Sequence, residues 1–198
     1  GDMREGLWAE ISIGGKVVLA TDESWKCRIS SAYSPMGIVG YDTQYTELFD
    51  SRCEEIGFEK EDYDDEKWKN AVIKKYSDYK LIKSPILPLE IYDVEPKTIR
   101  KIESGFIYDF GQEAIGYFVI KAKGNIGDEI IIRQGEELNA DGSVRYELRS
   151  NCLYEEKWIL SGGVDTLDQF DYKGFRYAEL VVPENVEIID VKFRIRHY

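Results

Sequence analysis

The sequence predicts an all-β protein, an antiparallel β-sandwich. Three observations predict it. Apolar and polar residues alternate at 114–120, 129–133, 154–160, 177–182 and 186–195, the period-two pattern of half-buried strands. Turn-forming residues fill the gaps, at Gly124-Asn125, Asn139-Ala140-Asp141-Gly142 and Ser161-Gly162-Gly163. Aromatic residues are abundant, with 14 Tyr, 8 Phe and 4 Trp, and these suit pleated, half-buried surfaces. With 198 residues the chain can bury a core without disulfide staples.

The elements follow in order. Strand patterns at 7–13 and 16–20 flank Gly14-Gly15, a two-residue hairpin signal. A short strand is expected at 25–29, and the Ser-, Pro- and Gly-rich stretch 30–41 reads as a loop. Residues 44–52 alternate again. Asp64-Asp65-Glu66-Lys67-Trp68 reads as one capped helical turn with an Asp at its N-cap and Trp68 turned inward. Strand pattern resumes at 70–76 and 79–83. Ser84-Pro85-Ile86-Leu87-Pro88 resists regular pairing because proline lacks a donor, so a domain boundary is expected near Pro88. This gives a partial sandwich at 1–88 and a complete one at 89–198. The apolar opening strand (Leu7, Trp8, Ile11, Ile13) calls for neighbours on both sides, so sequence upstream of Gly1 is expected to be missing from a complete domain. The alternative is an edge strand of a single fused sandwich.

Charge narrows the function classes. Against 26 basic residues stand 38 acidic ones, a net charge of −12, which repels phosphate backbones and anionic membranes. Neither nucleic acid nor a membrane is expected as a partner. There is no apolar run of membrane-spanning length and no basic-then-apolar leader. Cys27, Cys53 and Cys152 form no C-x-x-C pair and read as buried free thiols, which favours a cytoplasmic location.

No catalytic centre is legible. His197, the single histidine, is a poor general base one residue from the end, and it cannot supply a zinc site. Glycoside hydrolysis needs two carboxylates facing each other, about 6.5–9.5 Å apart in inverting enzymes. Most acids here lie in runs such as Glu61-Asp62-Tyr63-Asp64-Asp65-Glu66, which read as a solvated face. Asp109 is better placed, but a strand-turn-strand role suffices for it. Trp25, Trp68 and Trp158 are expected in the core.

The motif series resembles a known family. Tyr108-Asp109-Phe110-Gly111-Gln112-Glu113 with Gly116-Tyr117, Gly135-Glu136-Glu137-Leu138, Asp141-Gly142-Ser143-Val144, Asp171-Tyr172-Lys173-Gly174-Phe175-Arg176-Tyr177 and the terminal Arg196-His197-Tyr198 resemble bacterial α-L-rhamnosidases of glycoside hydrolase family 78. Upstream, 21–26, 45–52 and 63–68 resemble the second half of that family's N-terminal jelly-roll (galactose-binding-like) domain. The resemblance implies a modular enzyme that removes terminal α-L-rhamnose with inversion. Its acid and base would lie in an (α/α)6 barrel that has no counterpart here, so this chain would be a non-catalytic support for that barrel. In related jelly-roll modules, rhamnose is held by acidic and amide groups, sometimes with Ca2+. The matching candidates are Glu47, Asp50 and Arg52, with Tyr45 as a stacking surface. By strand period Tyr45 and Glu47 point opposite to Asp50 and Arg52, and an Asp50–Arg52 pair in a structural strand is the simpler account. The competing readings are a free-standing carbohydrate-binding module and a ligand-free remnant that self-associates through an exposed sheet edge.

Overall fold

The structure, a computed structural model, describes residues 6–39, 44–74, 82–149 and 152–198. The strands are β1 (Glu10–Ile13), β2 (Lys16–Ala20), β3 (Lys26–Cys27), β4 (Tyr33–Val39), β5 (Gln44–Asp50), β6 (Lys69–Asn70), β7 (Glu90–Val94), β8 (Thr98–Ile102), β9 (Gly105–Lys123), β10 (Glu129–Gly135), β11 (Glu155–Ile159), β12 (Val164–Asp168), β13 (Lys173–Val181) and β14 (Glu187–His197). A short 3₁₀ turn, Ser51–Cys53, follows β5. The fold is all-β and dominated by antiparallel pairs, as the alternation predicts.

The chain forms two compact units, Gly1–Ser30 with Glu55–Pro85, and Ser31–Glu54 with Ile86–Tyr198. Beside the expected division at 1–88 and 89–198, the compact units set segment 31–54 with the later strands and begin the second unit again at Ile86. The reason is the pairing of β5 with β11, parallel and in register from Leu48–Lys157 to Asp50–Ile159.

In the first unit β1 and β2 form the expected hairpin. Gly14 and Gly15 both take positive φ, 57° and 77°, as a tight primed turn requires. Every residue of both strands is exposed. β3 pairs with β6. The stretch 64–68 is a hydrogen-bonded turn rather than a helical one. The Asp64 carboxylate accepts from Glu66 N–H at 3.0 Å, and Trp68 N–H reaches Asp65 O at 2.9 Å. Trp68 meets Tyr63 edge-on at 5.8 Å, and Trp25 donates to Ala20 O at 3.0 Å; both indoles are only half-buried. The strand expected at 70–76 is confined to Lys69–Asn70 among the described residues, and most of that expected at 79–83 lies outside them.

The second unit is one ten-stranded sheet, in the order β4-β5-β11-β10-β13-β9-β14-β7, with β8 and β12 also on β9. β9 changes neighbours along its 19 residues. Its first part pairs with β8 and β13, its last part with β12 and β14. The sheet folds over along this strand, so that Phe175 of β13 stacks on Phe193 of β14 at 4.0 Å. Phe110, Phe118, Trp158, Ile120, Ile130, Ile132, Leu160 and Leu180 complete a fully buried core. The stretch 30–41 was expected to be a loop, yet it contains β4. Pro35 is tolerated there because β4 ends the sheet order, and the register shifts between Pro35 and Gly37.

Gly116 lies close against the backbone of β14. A Cβ at this position would stand 2.1 Å from Arg194 O. Gly116→Ala is expected to cost about 2–3 kcal/mol, as overpacking against backbone does. Chemical denaturation of the variant checks this.

Candidate functional site

Of the residues singled out as carbohydrate ligands, the structure pairs Asp50 with Arg52 and turns Glu47 to other partners. Tyr45 is exposed on β5. Glu47, two residues on, is turned toward the segment after β12, where its carboxylate accepts Asp171 N–H at 2.7 Å and Phe170 N–H at 3.2 Å. Asp50 closes on Arg52 instead. It accepts Arg52 Nε at 2.8 Å, Nη2 at 2.7 Å and the backbone N–H at 3.0 Å. It thereby caps the 3₁₀ turn that carries Arg52 off the strand. The Arg52 fork holds the Asp50 carboxyl below its ordinary range. Both carboxylates are thus occupied by protein donors. Among the described residues no group of three or more His, Cys, Asp and Glu side chains is placed to hold a metal ion.

A buried polar network lies beside Glu47. Glu156 on β11 and Lys173 on β13 are almost wholly buried and pair at 2.5 Å. The second Glu156 oxygen accepts from Gln169 Nε2. Gln169 and Gln134 exchange hydrogen bonds at 3.2 Å, and Phe118 N–H donates to Gln169 Oε1 at 2.8 Å. Glu47 N–H reaches Glu156 at 3.3 Å. Sequence reasoning missed these residues although the signal was present. Glu156 shares the inward register with Trp158, Lys173 with Phe175, and Gln134 with Ile130 and Ile132.

Burial pushes the Glu156 carboxyl up, opposed by the Lys173 ammonium, and burial likewise raises Glu47, opposed by Phe170 N–H. A raised acid binds its proton more readily folded than unfolded. These two groups therefore stabilise the fold as pH drops below their raised values, down to the ordinary glutamate value of 4.5. Asp50, Asp93 and Asp109 are held low by Arg52, Arg194 and Arg176, and their contribution is lost only as pH falls further, through their depressed values. Stability is expected to peak on the acid side of neutrality. Urea denaturation at a series of pH values checks this, and a plateau extending unchanged through neutral pH would contradict it.

The glycine-bearing motif of β9 proves to be a brace. Asp109 accepts Arg176 Nε at 2.8 Å and Nη2 at 2.9 Å, as well as Gly111 N–H at 2.7 Å. Gly111 has φ +84°, where a side chain would be strained and would run into Lys97. Phe110 points into the core, while Gln112 and Glu113 are exposed. The two motifs that flank Asp109 and Arg176 therefore meet in space to set the bend of β9.

A concavity of about 420 Å³ opens where β14 ends, lined by Leu89, Ala114, Ile115, Tyr172, Ile195 and the last three residues. Arg196 spans it. Its guanidinium lies 4.2 Å from the Tyr172 ring centre and 6.0 Å from that of Tyr117, and Nη1 donates to the Tyr117 hydroxyl at 3.1 Å. His197 lies 3.8 Å from Glu90. The cysteines depart from expectation, since Cys27 and Cys53 are exposed and Cys152 is partly so. Trp158 is wholly buried as expected, donating to Ser51 Oγ at 2.7 Å.

A folded-over antiparallel sheet with an aromatic core and a braced central strand defines a concanavalin-like β-domain. The model of the bacterial α-L-rhamnosidase concanavalin-like domain matches residues 99–194, and that of the α-L-rhamnosidase N-terminal domain matches residues 3–106. The chain belongs to the α-L-rhamnosidase family. An α-L-rhamnosidase of Streptomyces avermitilis is 28% identical over 167 residues, covering 81% of this chain and 16% of the relative. One from Formosa agariphila is 26% identical over 183 residues, covering 84% and 18%. The solved α-L-rhamnosidase of Dictyoglumus thermophilum superposes with a TM-score of 0.74 at 28% identity, over 90% of this chain and 20% of that one. The chain thus spans only about a sixth to a fifth of the length of these relatives.

Proposed function

We propose that this chain is a non-catalytic β-sandwich part of an α-L-rhamnosidase, a hydrolase of terminal α-L-rhamnose, and that it supports an (α/α)6 catalytic domain. The observation that carries this reading is the pair of family matches across 3–106 and 99–194 in a chain spanning so small a share of its relatives. The acids nearest the buried network are spent on Lys173 and on backbone N–H groups. An assay of the purified chain on an aryl α-L-rhamnoside tests the reading. No turnover above buffer is expected, and substantial turnover would sink it.

A carbohydrate-binding role is the second reading, favoured by two exposed rings, Tyr45 on the strand of Glu47 and Phe170 on the segment whose N–H Glu47 accepts. Calorimetry with L-rhamnose, with and without Ca2+, tests it. No heat at millimolar sugar counts against it.

A further inference from the structure

Three arginines of the large sheet pair with carboxylates, while Arg100 donates to Gly142 O. Arg133 is paired with Glu155 and Glu179, Arg176 with Asp109, and Arg194 with Asp93 and Asp168. Arg196, two residues beyond Arg194 on the same face of β14, pairs with no carboxylate among the described residues, although the chain carries 38 acids. Its guanidinium is nonetheless held in place, stacked on Tyr172 and tethered to the Tyr117 hydroxyl. Its Nε and Nη2 make no hydrogen bond among the described residues. A planar fork so fixed has lost its rotamer freedom in advance and matches a carboxylate or phosphate group taken through two parallel bonds. Leu89, Ala114, Ile115 and Ile195 supply apolar walls beside it, and Tyr172, His197 and Tyr198 complete the lining.

We infer that the concavity at the end of β14 is a docking site for a single carboxylate carried among apolar groups, namely an Asp or Glu side chain on an apolar segment of an adjoining protein domain. Charge complementarity selects this occupant. The net charge of −12 repels free polyanions at a distance, while one acid shielded by apolar neighbours meets the unpaired guanidinium at close range. The identity of the adjoining domain rests on the function proposed above; the carboxylate site itself does not.

Butyrate, one carboxylate on an apolar tail, is the probe, and butanol its neutral counterpart. Titration of the labelled chain followed by NMR is expected to show saturable shifts at Arg196 Nε–H, Ile115 and Tyr172 with butyrate and not with butanol. Arg196→Ala should abolish them. Arg196→Lys, which keeps the charge but loses the fork, should weaken binding about tenfold. Unchanged signals from Phe193 and Phe175 in both variants report an intact core. Absence of shifts at millimolar butyrate, equal shifts with butanol, or full binding by Arg196→Ala would each overturn the inference. These outcomes are separate from the hydrolysis assay, because butyrate binding requires no rhamnosidase activity and no second domain.

Discussion

Lys173→Met is expected to destabilise the second unit by about 3–5 kcal/mol, the cost of leaving a buried charge without its partner. Lys173 and Glu156 have side chains only 2% exposed and lie 2.5 Å apart, so water cannot replace the lost ammonium. The companion variant separates pairing from packing. Lys173→Met combined with Glu156→Gln removes the charge on both sides while leaving an amide that still accepts from Gln169. It is expected to recover most of the loss, because neutral replacements of a buried pair are often tolerated. Urea denaturation of the two variants beside the parent chain measures both effects. A loss below about 1 kcal/mol for the single variant would mean that the ion pair is not desolvated as described.

Phe110→Ala carries the second large expectation, also about 3–5 kcal/mol, as for other aromatic deletions in closed cores. Its ring is in contact with Phe118, Phe175 and Phe193, with centroids 6.1, 6.0 and 5.2 Å away, and these come from three different strands. The control lies three residues along. Glu113 is exposed, and Glu113→Ala should change stability by no more than about 0.5 kcal/mol. The contrast tests whether this motif is structural. If Glu113→Ala proved the more damaging, the bend of β9 would have to depend on polar contacts that the structure does not contain.

Much of the fold was legible in the sequence because period-two alternation reports directly on which face is buried. β10, β11, β13 and β14 follow it closely, and the Gly14-Gly15 hairpin follows from turn chemistry alone. β4 was hidden because its Ser, Pro and Gly residues signal a loop, and only the sheet order shows an edge position where proline costs little. The allocation of 31–54 was hidden for a different reason. Its partner β11 lies more than a hundred residues downstream, and local pattern carries no information about so distant a pairing. The candidate ligands fared similarly. The period set Tyr45 and Glu47 opposite to Asp50 and Arg52, but the structure carries Arg52 off the strand in the 3₁₀ turn, and local pattern could not reveal that Glu47 would be claimed by backbone at 170–171. Glu156 and Lys173 could have been found by asking which polar residues share a register with buried tryptophan and phenylalanine.

The parallel seam between β5 and β11 also has a consequence in time. The two strands are bridged by a hydrogen bond across 109 positions of chain. At roughly 5–20 residues per second of synthesis, the β4–β5 hairpin leaves the ribosome about 5–20 s before the strand that will cover it. Throughout that interval Phe49 and Ala32, both buried in the finished protein, face solvent on the nascent polypeptide without a lid. Chaperone engagement during translation should therefore concentrate on this early hairpin and end when β11 emerges.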